Sequence, residues 1–157
     1  GPMRVAIIGG SGRMGRWFAH FLLKEGKEVW IKTADDIQSM TLHDNSLIVT
    51  NNARQIALLS TTDGKVSWTG DLISPKERLS KKPKTVNFLD PFVVKEENRY
   101  TVNVIASNGE LYQFTTNDSG QLPEGAVISA IDKNIRYYWI SCCSGSIHLI
   151  SDTKVKF

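Results

Sequence analysis

Met3-Arg-Val-Ala-Ile-Ile-Gly-Gly-Ser-Gly-Arg-Met-Gly15 runs an apolar, β-branched stretch straight into G-x-G-x-x-G. Read alone, it is a strand, a glycine turn and the start of a helix whose N-terminus would face a pyrophosphate. Arg4 to Ile8 supply the strand. From Arg13 to Glu25, Met14, Trp17, Phe18, Phe21 and Leu22 recur at three- and four-residue steps, with Ala19 and Leu23 widening the face. That spacing predicts an amphipathic helix. Gly26 follows as a left-handed C-cap, with Lys24 near the negative end of the helix dipole. Glu28 to Ile31 predicts a second strand. Residues 3–34 are therefore expected to form a Rossmann-like β-α-β unit with a right-handed crossover.

After Asp35-Asp36 the periodicity changes from helical to alternating. Ser46 to Thr50, Gln55 to Ser60 and Lys65 to Trp68 read as short strands, separated by Asn51-Asn52 and Asp63-Gly64. Asn-Asn tolerates positive φ, and Asp-Gly favours a hairpin turn. Tyr100 to Ala106 and Glu110 to Thr115 form a second hairpin around Asn108-Gly109. Arg136 to Cys142 and Ser146 to Ile150 form a third around Ser144-Gly145. Residues 73–84, with Pro75, Pro83 and several lysines, read as a basic insertion. The expected fold class is α+β: a β-α-β start, then about three antiparallel β-meander units over residues 35–157.

Gln55-Ile-Ala-Leu-Leu-Ser-Thr-Thr-Asp-Gly-Lys-Val66 lines up with Glu110-Leu-Tyr-Gln-Phe-Thr-Thr-Asn-Asp-Ser-Gly-Gln121, and Ser146 to Val155 is a shortened third copy. Repeats of this size and strand content predict four-stranded propeller blades. Asp63-Gly64-Lys65-Val66-Ser67-Trp68 resembles the D-G-K-x-x-W signature of pyrroloquinoline-quinone-type and related WD40-like propeller repeats. The resemblance implies a β-meander architecture over residues 35–157 and does not imply a bound quinone. Three units leave open strand edges, so self-association is expected, or completion of the β part by the N-terminal strands.

Residues 3–31 resemble the opening of archaeal prephenate dehydrogenase, with I-I-G-G-x-G-x-M-G-x-W-F-A-x-F-L-x-x-x-G-x-E-V. That resemblance implies a pyrophosphate turn at Gly10, Gly12 and Gly15, lined by Ser11, Arg13 and Met14. The family's catalytic histidine and arginine residues lie on a partner domain that has no counterpart here. His20, His43 and His148 do not match that setting. An NAD site wants an acidic residue at the end of the second strand. Here Lys32-Thr33 occupies the place and suits a 2′-phosphate, so NADP is the dinucleotide this turn would take. The contrast between the two halves also suggests a fused or engineered origin, and Gly1-Pro2 ahead of Met3 reads as a protease-cleavage remnant.

Composition narrows the function classes. The 157 residues are 41% hydrophobic and 22% charged, with a net charge of +3, too weak to imply nucleic acid. No apolar run approaches the ~20 residues of a membrane span, and the start does not read as a signal peptide. Cys142 and Cys143 are adjacent, so their side chains diverge in a strand and read as reduced cytoplasmic thiols. They have no metal-ligand spacing around them. His43-Asp44 lacks a serine in a nucleophile elbow. Asn117-Asp118-Ser119 fits a glycosylation sequon, Tyr137-Tyr138-Trp139 a stretch of strand aromatics, and Lys76 to Lys84 a solvated loop. The expected function is a non-catalytic β-repeat interaction or scaffold module that binds protein through β edges. No cofactor is expected. The alternative is an NADP-binding protein or oxidoreductase fragment using the glycine turn.

Overall fold

A computed structural model describes residues 5–11, 16–22, 28–35, 37–82, 85–131, 135–140, 147–151 and 155–156, with side-chain surroundings for 37–82 and 85–131. It is nearly all β: four antiparallel sheets and, among the described residues, one helical turn. The chain divides into two compact units, Gly1–Thr69 and Gly70–Phe157.

The α+β expectation is overturned at its start. Strands β1 (Val5–Ser11), β2 (Arg16–Leu22) and β3 (Glu28–Asp35) form a sheet in the order β1-β2-β3. The stretch read as a helix is the central strand of that sheet. Ile7 pairs with His20 and Phe18 with Thr33, both antiparallel. A β-α-β unit would instead have set β3 directly beside β1 as its parallel neighbour, with a helix and not a strand between them in sequence. The reason lies in the residues: Trp17, Phe18 and Phe21 favour a pleated surface, and a near-continuous apolar run satisfies helical spacing without being helical.

The next sheet contains β4 (Ile37–His43), β5 (Ser46–Asn51), β6 (Gln55–Ser60) and β7 (Val66–Asp71), hydrogen-bonded in chain order. Leu47 to Thr50 in β5 are all buried, so this strand is covered on both faces, whereas β7 is mostly exposed. Leu47, Val49 and Leu59 form a core cluster, with Ile37, Met40 and Ala57 packed against it. On the buried side, the Ser39 and Thr50 hydroxyls lie 2.5 Å apart and satisfy each other, which removes most of the cost of burying them.

The second four-stranded sheet repeats the plan with β8 (Phe92–Glu96), β9 (Arg99–Ile105), β10 (Glu110–Thr115) and β11 (Val127–Ala130). Again the second strand is buried on both faces, at Val102 to Ile105, and the fourth is exposed. Phe92, Ile105 and Leu111 form its cluster. The Phe88 and Tyr112 rings meet edge to face at 6.3 Å. Asn103, 2% exposed, donates to the Phe92 and Thr101 carbonyls at 3.4 and 3.2 Å, and its Oδ1 accepts from Gln113 at 3.0 Å.

Strand β12 (Ile135–Ile140), β13 (Ile147–Ser151) and β14 (Val155–Lys156) form a further antiparallel sheet. The aligned repeat segments Gln55–Ser60 and Glu110–Thr115 are β6 and β10, the third strand of each four-stranded sheet.

Candidate interaction surface

In an antiparallel meander alternate turns share one end of the sheet, so each end presents a fixed set of loops. In the β4–β7 sheet the turns after β4 and β6 share an end, and the Thr61 N–H donates to the Asn45 carbonyl at 3.0 Å, tying them together. Asp44 sits there at φ 50°, with its carboxylate 3.4 Å from His43 Nε2. This pair is the one read in the sequence. The side chains are 31% and 67% exposed at the hairpin turn, a setting for a solvated contact that adds little to stability. At the neighbouring turn the Asp63 carboxylate accepts from the Lys65 N–H at 2.9 Å, and Gly64 takes φ 73°.

The β8–β11 sheet is shaped at its corresponding end by Asn117. Its side-chain oxygen accepts from the Ser119 and Gln121 N–H groups, each at 2.9 Å, and so folds the loop back on itself. Asp118 pairs with Arg99 across to the β8–β9 turn. Loops held by their own side chains lose little conformational freedom when they meet a partner.

At the opposite end of this sheet lies the connection from β7 to β8. The helical turn α1 (Pro75–Arg78) falls in the stretch read as a basic insertion. Ser74 caps it, accepting from the Glu77 N–H at 3.3 Å, and Pro75 fills a first-turn position where its missing N–H costs nothing. Arg78 pairs with Asp71 at 3.0 Å.

The residues expected to hold a dinucleotide fall in the N-terminal sheet. Gly10 and Ser11 end β1, opposite Trp17 and Arg16, while Lys32 and Thr33 lie in β3, opposite Ala19 and Phe18. The sheet places these two pairs on either side of β2. Gly12, Arg13, Met14 and Gly15 lie outside the described residues, as do Cys142 and Cys143. The helix whose N-terminus was to meet the pyrophosphate is strand β2, so that anion-binding argument loses its physical basis. Among the described residues no group of three or more His, Cys, Asp or Glu is placed to hold a metal, and no helix is long and apolar enough to cross a membrane.

Sequence reasoning missed the left-handed turn residues Asp44, Arg54 and Glu97, at φ 50°, 61° and 48°. Asp tolerates that region and the sequence hints at it. Arg54 carries no such signal.

No protein-family model matches the chain. It is 43% identical over 133 residues to the uncharacterized protein RC0314 of Rickettsia conorii (strain ATCC VR-613 / Malish 7), covering 84% of this chain and 31% of that protein. It is 41% identical over 136 residues to the uncharacterized protein RP232 of Rickettsia prowazekii (strain Madrid E), covering 86% and 32%. The chain thus spans about a third of the length of the curated relatives it matches. Both alignments are longer than residues 35–157 alone, and no comparison supports a fused origin.

Among solved structures, BBS1N in complex with ARL6DN matches with a TM-score of 0.63 at 13% identity, covering 97% of this chain and 44% of that one. The fission yeast SREBP–SCAP binding domains match at 0.55 and 12%, covering 93% and 43%. A europium-containing methanol dehydrogenase matches at 0.52 and 12%, covering 81% and 23%. These neighbours have β-propeller folds, in agreement with the propeller-like part of the sequence. The likeness of residues 3–31 to prephenate dehydrogenase finds no support in the fold or in these comparisons.

Proposed function

We propose that the chain forms consecutive blades of a β-propeller acting as a non-catalytic protein-interaction scaffold. One observation carries the reading. Two successive four-stranded meanders run in chain order, each with its second strand buried on both faces and its fourth exposed. A four-stranded blade with buried inner strands and an exposed outermost strand has that burial pattern, and its turns lie at its two ends. Two of the structural neighbours are named for protein complexes, which supports a protein partner here. The methanol dehydrogenase neighbour is an enzyme by its name, so the fold does not by itself assign the scaffold role. The exposed fourth strands β7 and β11 offer edges for self-association or for a strand from another chain.

The test is native isolation of the full-length protein, followed by reconstitution with each co-purifying protein from purified components. A stoichiometric complex is expected, with amide protection mapping to the hairpin turns and to residues 72–91. A full-length protein that forms no reconstituted complex, or that turns over a small molecule at its loop face, would overturn the reading. Calorimetric titration with NADP is expected to show no binding.

A further inference from the structure

The connections between successive sheets differ sharply in length. One residue joins β3 to β4 and four join β11 to β12, whereas twenty separate Asp71 from Phe92. Connections beyond about 12–15 residues in a compact domain are uncommon and are usually either functional or linker segments. Both ends of this one are fixed. Leu72, Val86 and Phe88 are 0%, 5% and 4% exposed. Phe88 bridges Ala106, the Leu89 N–H donates to the Ile105 carbonyl at 2.9 Å, and the Ser107 N–H donates to the Asn87 carbonyl at 2.8 Å.

Between these anchors lies the helical turn α1, capped by Ser74, with Arg78 paired to Asp71. Leu79, the C-cap of that turn, is 88% exposed, more than any other large apolar side chain among the described residues. Lys76, Arg78, Lys81 and Lys82 are exposed close to it in sequence, and Glu77 is the single acidic residue between Ile73 and Lys84.

We propose that this segment, with Leu79 exposed and Lys76, Lys81 and Lys82 exposed close to it in sequence, docks an acidic segment of a partner protein that offers a recess or a bulky side chain to Leu79. The proposal rests on the scaffold reading and gives that scaffold a specific contact. Charge decides the sign of the partner: an excess of cations attracts carboxylates and repels basic surfaces. The apolar content decides its class. No aromatic residue lies between Ile73 and Lys84 to stack on bases, which disfavours single-stranded nucleic acid. One leucine and one partly covered isoleucine make too small an apolar face to anchor in a lipid interface. A single exposed leucine flanked in sequence by cations is the right size for one protein pocket.

Short random peptides displayed on phage, selected against the full chain, provide the probe. Selected peptides are then measured by fluorescence anisotropy against the unaltered chain, against Leu79→Ser and against Lys81→Glu/Lys82→Glu. Enriched peptides are expected to combine Asp or Glu with one Leu, Ile, Phe or Trp. Leu79→Ser should weaken them by about tenfold or more. The charge reversal should weaken them strongly at low salt and less at high salt. Both variants alter exposed side chains only, and unchanged melting curves verify their folding. Three results overturn the proposal: no enriched binder, peptides indifferent to both variants, or variant-sensitive binding to phosphatidylglycerol vesicles or a single-stranded oligonucleotide that exceeds peptide binding. Peptides that bind but ignore both variants leave the scaffold reading standing. Loop-dependent peptide binding accompanied by small-molecule turnover would sink the scaffold reading alone.

Discussion

The β4–β7 and β8–β11 sheets share one plan and meet its hardest turn with different residues. Between second and third strands, the Arg54 N–H donates to the Asn51 carbonyl at 3.2 Å in one sheet, and the Gly109 N–H donates to the Ala106 carbonyl at 3.0 Å in the other. In both turns an asparagine side chain receives the first N–H of the third strand: Asn51 Oδ1, at the end of β5, accepts from the Gln55 N–H at 3.0 Å, and Asn108 Oδ1 from the Glu110 N–H at 3.1 Å. Yet φ is 61° at Arg54 and 87° at Gly109. Glycine occupies that region freely, whereas arginine there carries strain of about 1–2 kcal/mol. Arg54 is also 5% exposed, so the arginine turn carries a buried charged residue as well as the strained φ. The comparison teaches that the hairpin pattern sets the turn geometry, and that residue identity sets only what that geometry costs.

The cores give the largest expected effect. Phe114 in β10 is fully buried, so Phe114→Ala should cost about 3–5 kcal/mol, and Leu47→Ala in β5 about 2–5 kcal/mol. Urea denaturation followed by intrinsic fluorescence measures both. A loss below about 1 kcal/mol at either site would mean that this sheet is not packed on both faces.

Buried polar groups should separate the two sheets next. Asn103→Leu strands the Gln113 amide and should cost about 1–3 kcal/mol. In the other sheet, replacing Ser39 and Thr50 together by Ala and Val should cost less than the sum of the single changes, because neither hydroxyl is left unpaired. A strictly additive double variant would contradict the 2.5 Å pair.

Several of these features can be read in the sequence and others cannot. Gln55–Ser60 and Glu110–Thr115 stand out because both follow an Asn-rich turn and carry matching apolar positions. Ile37–His43 and Val127–Ala130 are hidden. The first mixes apolar and polar residues without clean alternation, and the second is an exposed fourth strand with no buried face to impose a pattern. Arg16–Leu22 misleads, because five apolar residues in seven fit helical and strand periods alike; pairing with β1 and β3 decides between them. The glycine motif misleads for a related reason: a G-x-G-x-x-G turn reports phosphate binding only when a helix follows it. The exposed Leu79 leaves no sequence mark at all, since the same Arg-Leu-Ser could lie buried in another loop.

The turn comparison itself can be sharpened by a smaller measurement. Gly109→Ala should destabilise by about 1 kcal/mol, and Arg54→Ala should be less stable than Arg54→Gly by a similar amount. The Ala-minus-Gly difference removes the contribution of the lost arginine side chain, so equal values at both positions would establish equivalent turns. A difference near zero at Arg54 would show that its turn relaxes and is not the counterpart of Gly109. Smallest of all, Leu79→Ser should leave stability within about 0.5 kcal/mol, since its side chain touches solvent and not a core.

The central claim is that the chain opens with an antiparallel meander and not with a β-α-β unit. Solution NMR of residues 5–35 tests it most directly through cross-strand proton contacts. The account predicts such contacts between Ile7 and His20 and between Phe18 and Thr33, as their antiparallel registers require. Hα-to-HN contacts three residues apart through Arg16–Leu22, with none across those pairs, would restore the helix and contradict the account.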